Sequence, residues 1–185
     1  MRYDILKYGS PVLRQRAAPI TDVTAEIRRL AENMLETMYA NSGVGLAAEQ
    51  VGRTHSICVI DVSLPPDADG NEVTYSDHPV EMPLVMINPE IVERTGRWTQ
   101  EEGCLSFPGI YAQVHRADEV TVRFEDLKGA KRVLKVRGLL ARAVQHEMDH
   151  LSGVLLVDRM SPVKKVSLAG QLRRLKQEAA GDARS

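Results

Sequence analysis

Apolar residues recur along this chain with two different periods, and the changes between them outline the fold. Ile27, Leu30, Ala31, Met34, Leu35 and Met38 fall at helical spacing. Asp22 or Thr24 is placed to cap that helix, and the turn-forming run from Asn41 to Gly45 ends it. The stretch from Ile57 to Val62, apolar except for Asp61, reads as a buried strand. Leu84 to Ile87 and Ile91 to Trp98 read as two more, punctuated by Asn88-Pro89 and Gly96. Val120, Val122 and Phe124 alternate with polar residues, and Gly129 turns the chain toward Val133 to Val136, which predicts a hairpin with one buried face.

A buried helix follows, carrying Leu139, Leu140, Ala143 and Val144, with Gly138 before it and Gly153 placed to end it. Ser161-Pro162 starts a last helix, with Val163, Val166, Leu172 and Leu175 as its apolar contacts. Its other face, with Lys164, Lys165, Arg173, Arg174 and Lys176, reads as solvated. The polar stretch from Ser63 to Pro83 has no period and reads as a surface loop insertion, while residues 181–185 are expected to fray. The layout is α+β: one domain over residues 1–180, with antiparallel or mixed sheets around a central helix, plus an N-terminal and a C-terminal helix.

Composition changes this picture little. The 185 residues suffice for a substantial core. Lys and Arg total 24 against 25 Asp and Glu, so no global field favours nucleic acid or a membrane surface. No apolar stretch is long enough for a signal peptide or a membrane span, which predicts a soluble cytoplasmic protein with two free thiols. Cys58, within Ile57-Cys58-Val59-Ile60, reads as a packed strand residue. Cys104 sits in the polar, glycine-marked segment Glu101-Glu102-Gly103-Cys104-Leu105-Ser106, where simple packing is a less natural role.

The chemistry concentrates in His146-Glu147-Met148-Asp149-His150. Four helical positions advance the chain by about 400°, so both imidazoles project from nearly one side. Glu147, roughly 100° away, can reach a water beside a divalent ion without binding the ion. Two histidines leave such a site a ligand short. Cys104, Asp149, His55, His78 and His115 are the candidates. Asp149 is better suited to orienting an imidazole or an arginine. His55 and His78 read as solvated, and the Cys104 thiolate would be a strong ligand for iron or zinc. A zinc endopeptidase of the general H-E-x-x-H kind remains an alternative, although only Glu178 follows His150 as a further ligand. A closed metal-storage module is another.

Three segments, in order, resemble the signatures of the peptide deformylases: Gly43-Val44-Gly45-Leu46-Ala47-Ala48-Glu49-Gln50, Glu102-Gly103-Cys104-Leu105-Ser106 and the histidine pentad. The likeness extends from the N-terminal Ile5–Arg14 stretch to about Met160. It implies removal of the N-formyl group from the initiator methionine of new polypeptides, with release of formate. It also implies one divalent ion held by Cys104, His146 and His150. Fe(II) is the native expectation, and Zn, Ni or Co are alternatives in a purified sample. Glu147 would be general base and acid, and Gln50 with the Leu105 N–H would face the formyl oxygen. Arg116 would be partnered by Asp149.

Gly43, Gly45 and Gly103 would let an extended formyl-methionyl peptide approach as an added strand, with Val44, Leu139 and Ala143 lining an apolar methionine pocket. Arg142, one turn before His146, is expected to give its stem to that pocket with its guanidinium turned outward. The resemblance further implies a ribosome contact through the basic last helix. A monomer is expected.

Overall fold

The structure is a computed structural model that describes residues 1–63 and 80–182. Helix α1 (Ala25–Ala40) begins where Thr24 accepts the Ile27 N–H with its hydroxyl. Its buried face is Ile27, Leu30, Ala31, Met34 and Met38, the stripe expected from spacing, less the half-buried Leu35. The strands are β1 (Gly45–Ala47), β2 (Ile57–Ile60), β3 (Leu84–Thr95), β4 (Trp98–Gly103), β5 (Tyr111–Arg116), β6 (Glu119–Glu125) and β7 (Lys131–Arg137). Five of them form one antiparallel sheet in the order β1-β2-β3-β6-β7, and β4-β5 form a separate hairpin.

The sheet is covered on both faces, which explains the unbroken apolar run of β2. Ile57 and Val59 pack with α1, whereas Cys58 and Ile60 pack with helix α2 (Gly138–Leu151). Cys58 is fully enclosed, and burial pushes its thiol well above the usual range. Alternating Val120, Val122 and Phe124 of β6 complete the floor under α2.

Three readings change. The two strands expected around Asn88-Pro89 are one strand, β3, interrupted by register shifts. Asn88 adopts a left-handed conformation (φ 48°), and its side chain bonds both the N–H and the carbonyl of Ile20, so the break is absorbed as a bulge. The last helix is two pieces, after a short α3 (Leu156–Arg159) that was not expected: α4 (Pro162–Ser167), which Ser161 caps, and α5 (Ala169–Asp182). Leu172 and Leu175 are buried, but Val163 and Val166 are 80% and 77% exposed and are not core contacts. The helix runs two residues into the stretch expected to fray. Most of the Ser63–Pro83 insertion, with His78, lies outside the described residues. Among the described residues no helix is long and apolar enough to cross a membrane.

Helix α2 ends as anticipated. Gly153 takes φ 72°; its N–H bonds the His150 carbonyl and the Val154 N–H bonds that of Asp149, which closes the last turn. A Cβ at this position would also lie 2.6 Å from the Arg14 carbonyl oxygen. Gly153→Ala should therefore lower stability by about 2 kcal/mol, measured by urea unfolding. An unchanged midpoint would mean that this end of α2 tolerates a side chain.

Candidate metal centre

Helix α2 puts His146 and His150 on one side of itself, and the turn after β4 brings Cys104 to meet them. One ligand atom from each of the three lies within 4.8 Å of the others, and Cys104 Sγ is 3.3 Å from His150 Nε2. Among the described residues they form the one cluster with this geometry. His55 and His115 lie elsewhere, and the His115 ring bonds the Thr99 hydroxyl. Asp149 does not join the cluster.

The donors suit a divalent cation. Glu102 accepts from His146 Nδ1 at 3.1 Å, leaving Nε2 of that ring, once it gives up its proton, for a ligand bond. Burial and the positive neighbours His146 and Arg116 push His150 well below the ordinary histidine range, so it is a neutral imidazole with a free lone pair. For His146, burial acts the other way from its bonds to Cys104 and Glu102, which prevail and raise it.

Glu102, not singled out from the sequence, organises the surroundings. Arg116 meets it with a two-pronged contact, Nε to Oε1 at 3.0 Å and Nη2 to Oε2 at 2.9 Å. Arg142 donates to the same carboxylate and to the Trp98 carbonyl. Burial alone would raise Glu102, but hydrogen bonds from His146 and Arg116 hold it far below the carboxylate range. The available signal was its place in β4, two residues before a candidate ligand. Arg116 also donates to Asp149 Oδ2 at 2.5 Å, and Arg159 grips Asp149 from the other side. The expectation for Arg142 is corrected here. Arg142 is 4% exposed, with its guanidinium turned inward over the Trp98 ring, because a buried Glu102 offers an ion pair.

A cavity of about 610 Å³ opens beside the cluster, lined by Val44, Gly45, Gln50, Gly103, Cys104, Leu105, His146 and Glu147. Leu139, Arg142 and Ala143 also line it. His150, Arg116 and Asp149 lie behind that wall. Gln50 is fixed by the Ala47 N–H on its Oε1, and its Nε2 points toward Ser106 Oγ at 3.2 Å and Cys104 Sγ at 3.6 Å. The Leu105 N–H has no partner among the described residues.

The glycines answer first to the protein itself. A Cβ on Gly45 would stand 2.2 Å from Glu147 Oε1, one on Gly103 2.8 Å from the Tyr111 ring, and one on Gly43 2.7 Å from a Leu105 methyl. Gly45 thus makes room for the carboxylate, which burial pushes up to about 7 despite the opposing pull of His146 and Arg116. Glu147 Oε2 has no hydrogen-bond partner among the described residues.

A cysteine sulfur, two imidazoles and an adjacent carboxyl group opening on a cleft define the class of metal-dependent hydrolase. The family model described as polypeptide deformylase matches residues 2–166. A peptide deformylase of Endomicrobium trichonymphae is 44% identical over 178 residues, covering 96% of each chain. Among solved structures, the peptide deformylase of Thermotoga maritima superposes with TM-score 0.75 at 40% identity, covering 88% of this chain and 99% of that one. The enzyme of Synechococcus elongatus, solved in complex with actinonin, gives TM-score 0.79 at 40% identity, with 91% and 87% covered. The chain belongs to the peptide deformylase family.

Glu49, next to Gln50, is completely buried, and neither carboxyl oxygen has a hydrogen-bond partner among the described residues. Burial, aided by the negative charge of Glu147, pushes it up to about 8. A carboxyl raised on folding is most favourable below its unfolded value and loses stability as pH climbs toward its folded one. The loss by pH 7 is on the order of 3 kcal/mol. Glu49→Gln should therefore raise the melting temperature near neutral pH and barely change it near the unfolded carboxylate range. Equal gains at both would show that the carboxyl is not held neutral.

Proposed function

We propose that this protein removes the formyl group from the N-terminal formylmethionine of newly made polypeptides, by hydrolysis to formate and a free amine. The observation that carries the reading is the convergence of Cys104, His146 and His150 beside Glu147 on one wall of an open cleft. Cys104, His146 and His150 would hold a divalent ion; one thiolate and two imidazoles suit Fe(II), Zn, Ni and Co alike, and membership of the family is what favours Fe(II) as the native ion. When bound, the ion supplies Lewis acidity that makes water a nucleophile near neutral pH and polarises the formyl carbonyl.

The side chains do the rest. Glu147 takes the proton of the attacking water, a task suited to a carboxylate raised toward neutrality, and returns it to the departing amine nitrogen. The oxyanion formed at the formyl carbon is met by Gln50 Nε2 and the unpartnered Leu105 N–H; losing one such donor typically costs about 2.7–4 kcal/mol. Glu102 keeps His146 turned for its ligand bond, while Arg116 and Asp149 brace the loop and helix carrying the ligands. The peptide extends past Val44, Gly45 and Gly103, and the methionine side chain enters the region of Leu139, Ala143 and the Arg142 stem. We read the protein as a cytoplasmic monomer. The exposed Lys165, Arg173 and Arg174 support a ribosome contact through α4 and α5.

Formate and new amines should appear from a formyl-methionyl peptide, with casein left uncut; internal cleavage without formate would replace this reading with an endopeptidase. Glu147→Ala should keep its metal while losing several orders of magnitude in turnover, measured by elemental analysis and formate assay. Wild-type turnover would remove the base assignment. Cys104→Ala should lose metal, whereas Cys58→Ala should alter stability alone; equal metal loss in both would contradict the ligand set.

A further inference from the structure

Behind α2, away from the cleft, the turn joining β3 to β4 forms a second cavity. It holds about 360 Å³ and is lined by Arg94, Arg97, His115, Arg116, Gln145 and Arg159. Four arginines and a histidine are among the lining residues, and no carboxylate residue is. Arg116 and Arg159 are each bonded to Asp149, Arg116 also to Glu102. The side chains of Arg94 and Arg97 make no ion pair or hydrogen bond with any described residue. Asp118, whose Cβ packs against Gly96, sets one negative charge at the rim. The whole chain is formally −1, so this positive concavity is a local arrangement rather than a reflection of composition.

The placement follows from topology. β3 belongs to the large sheet and β4 to the hairpin, and Gly96 (φ 70°) lets the chain cross between them in two residues. That crossing sets Arg94 and Arg97 on either side of the turn. β5 presents His115 and Arg116 from the hairpin, and α3 adds Arg159. Each guanidinium is a planar fork matched to tetrahedral oxyanions, and like charges gathered in a concavity repel unless an anion lies among them.

We propose that this cavity is a binding site for a phosphate group, held by Arg94 and Arg97 with Arg159 and His115 completing the ring. Its volume is at the small end for ligand pockets, which suits a single phosphoryl group with a compact substituent. Two sources share that chemistry, a free phosphorylated small molecule and a phosphodiester of a nucleic-acid strand. The site is separate from the metal centre and stands whether or not the hydrolytic reading holds.

The test is calorimetric titration of the metal-loaded full-length protein, at low salt, with inorganic phosphate and separately with a short single-stranded RNA. Arg94→Ala/Arg97→Ala should weaken phosphate binding by about tenfold or more. Arg29→Ala, at an exposed position of α1, should leave it unchanged. The side chains of Arg94 and Arg97 are exposed and unpaired among the described residues, so the variant should keep the wild-type circular dichroism. Phosphate binding without RNA binding identifies the small-molecule source; RNA binding that is salt-sensitive and lost in the same variant identifies the strand. Absence of saturable phosphate binding, or binding that persists in Arg94→Ala/Arg97→Ala, overturns the site.

Discussion

Glu102 carries a negative charge into a place with almost no water, and the site is built around keeping it there. An isolated buried carboxylate would take up a proton rather than stay charged. Here two guanidiniums, from Arg116 and Arg142, and one imidazole, from His146, converge on its two oxygens. The arrangement ties β4, β5 and α2 together, the three elements that carry or brace the ligands. A buried pair of this kind contributes little net stability against an apolar substitute, but losing one partner leaves the other charged and alone. The value of Glu102 is therefore geometric: it sets the orientation of His146 and the position of the turn that presents Cys104.

The same network divides the molecule's charge between two faces. Toward the cleft, Glu102 and Asp149 have absorbed the positive side chains, leaving Glu147 and the unpartnered Leu105 N–H. On the far side, Arg159 reaches Asp149 from outside and stands beside Arg94 and Arg97. Close packing explains the glycines as well. Gly45 is small because Glu147 Oε1 occupies the space where a methyl would go, so one backbone position serves both the cleft wall and the carboxylate's placement.

Much of this was legible in order along the chain. The α1 stripe, the both-face burial of β2, the β6-β7 hairpin and the Gly153 helix stop follow from local period and turn chemistry. The β4-β5 hairpin was missed. Trp98–Gly103 is mostly polar, and its pairing with Tyr111–Arg116 is supported by contacts distant in sequence. The Asn88-Pro89 break reads locally as a strand end, but a side-chain bond to Ile20, sixty-eight positions away, carries the strand through. Val163 and Val166 have helical spacing yet no neighbour to cover them, since whether a face is buried depends on what packs against it.

By itself the sequence determined which residue types could form the centre: two imidazoles one turn apart, a carboxylate between them, and a thiol in a segment with recognisable company. Those are properties of spacing and side-chain chemistry, and they persist in any conformation that keeps the helix. Only the tertiary structure decided that Glu102 is the hub, that Arg142 faces inward, and that Arg94 and Arg97 share a cavity with Arg159. Each depends on desolvation and on convergence between strands from different sheets, and neither exists until the chain has closed on itself.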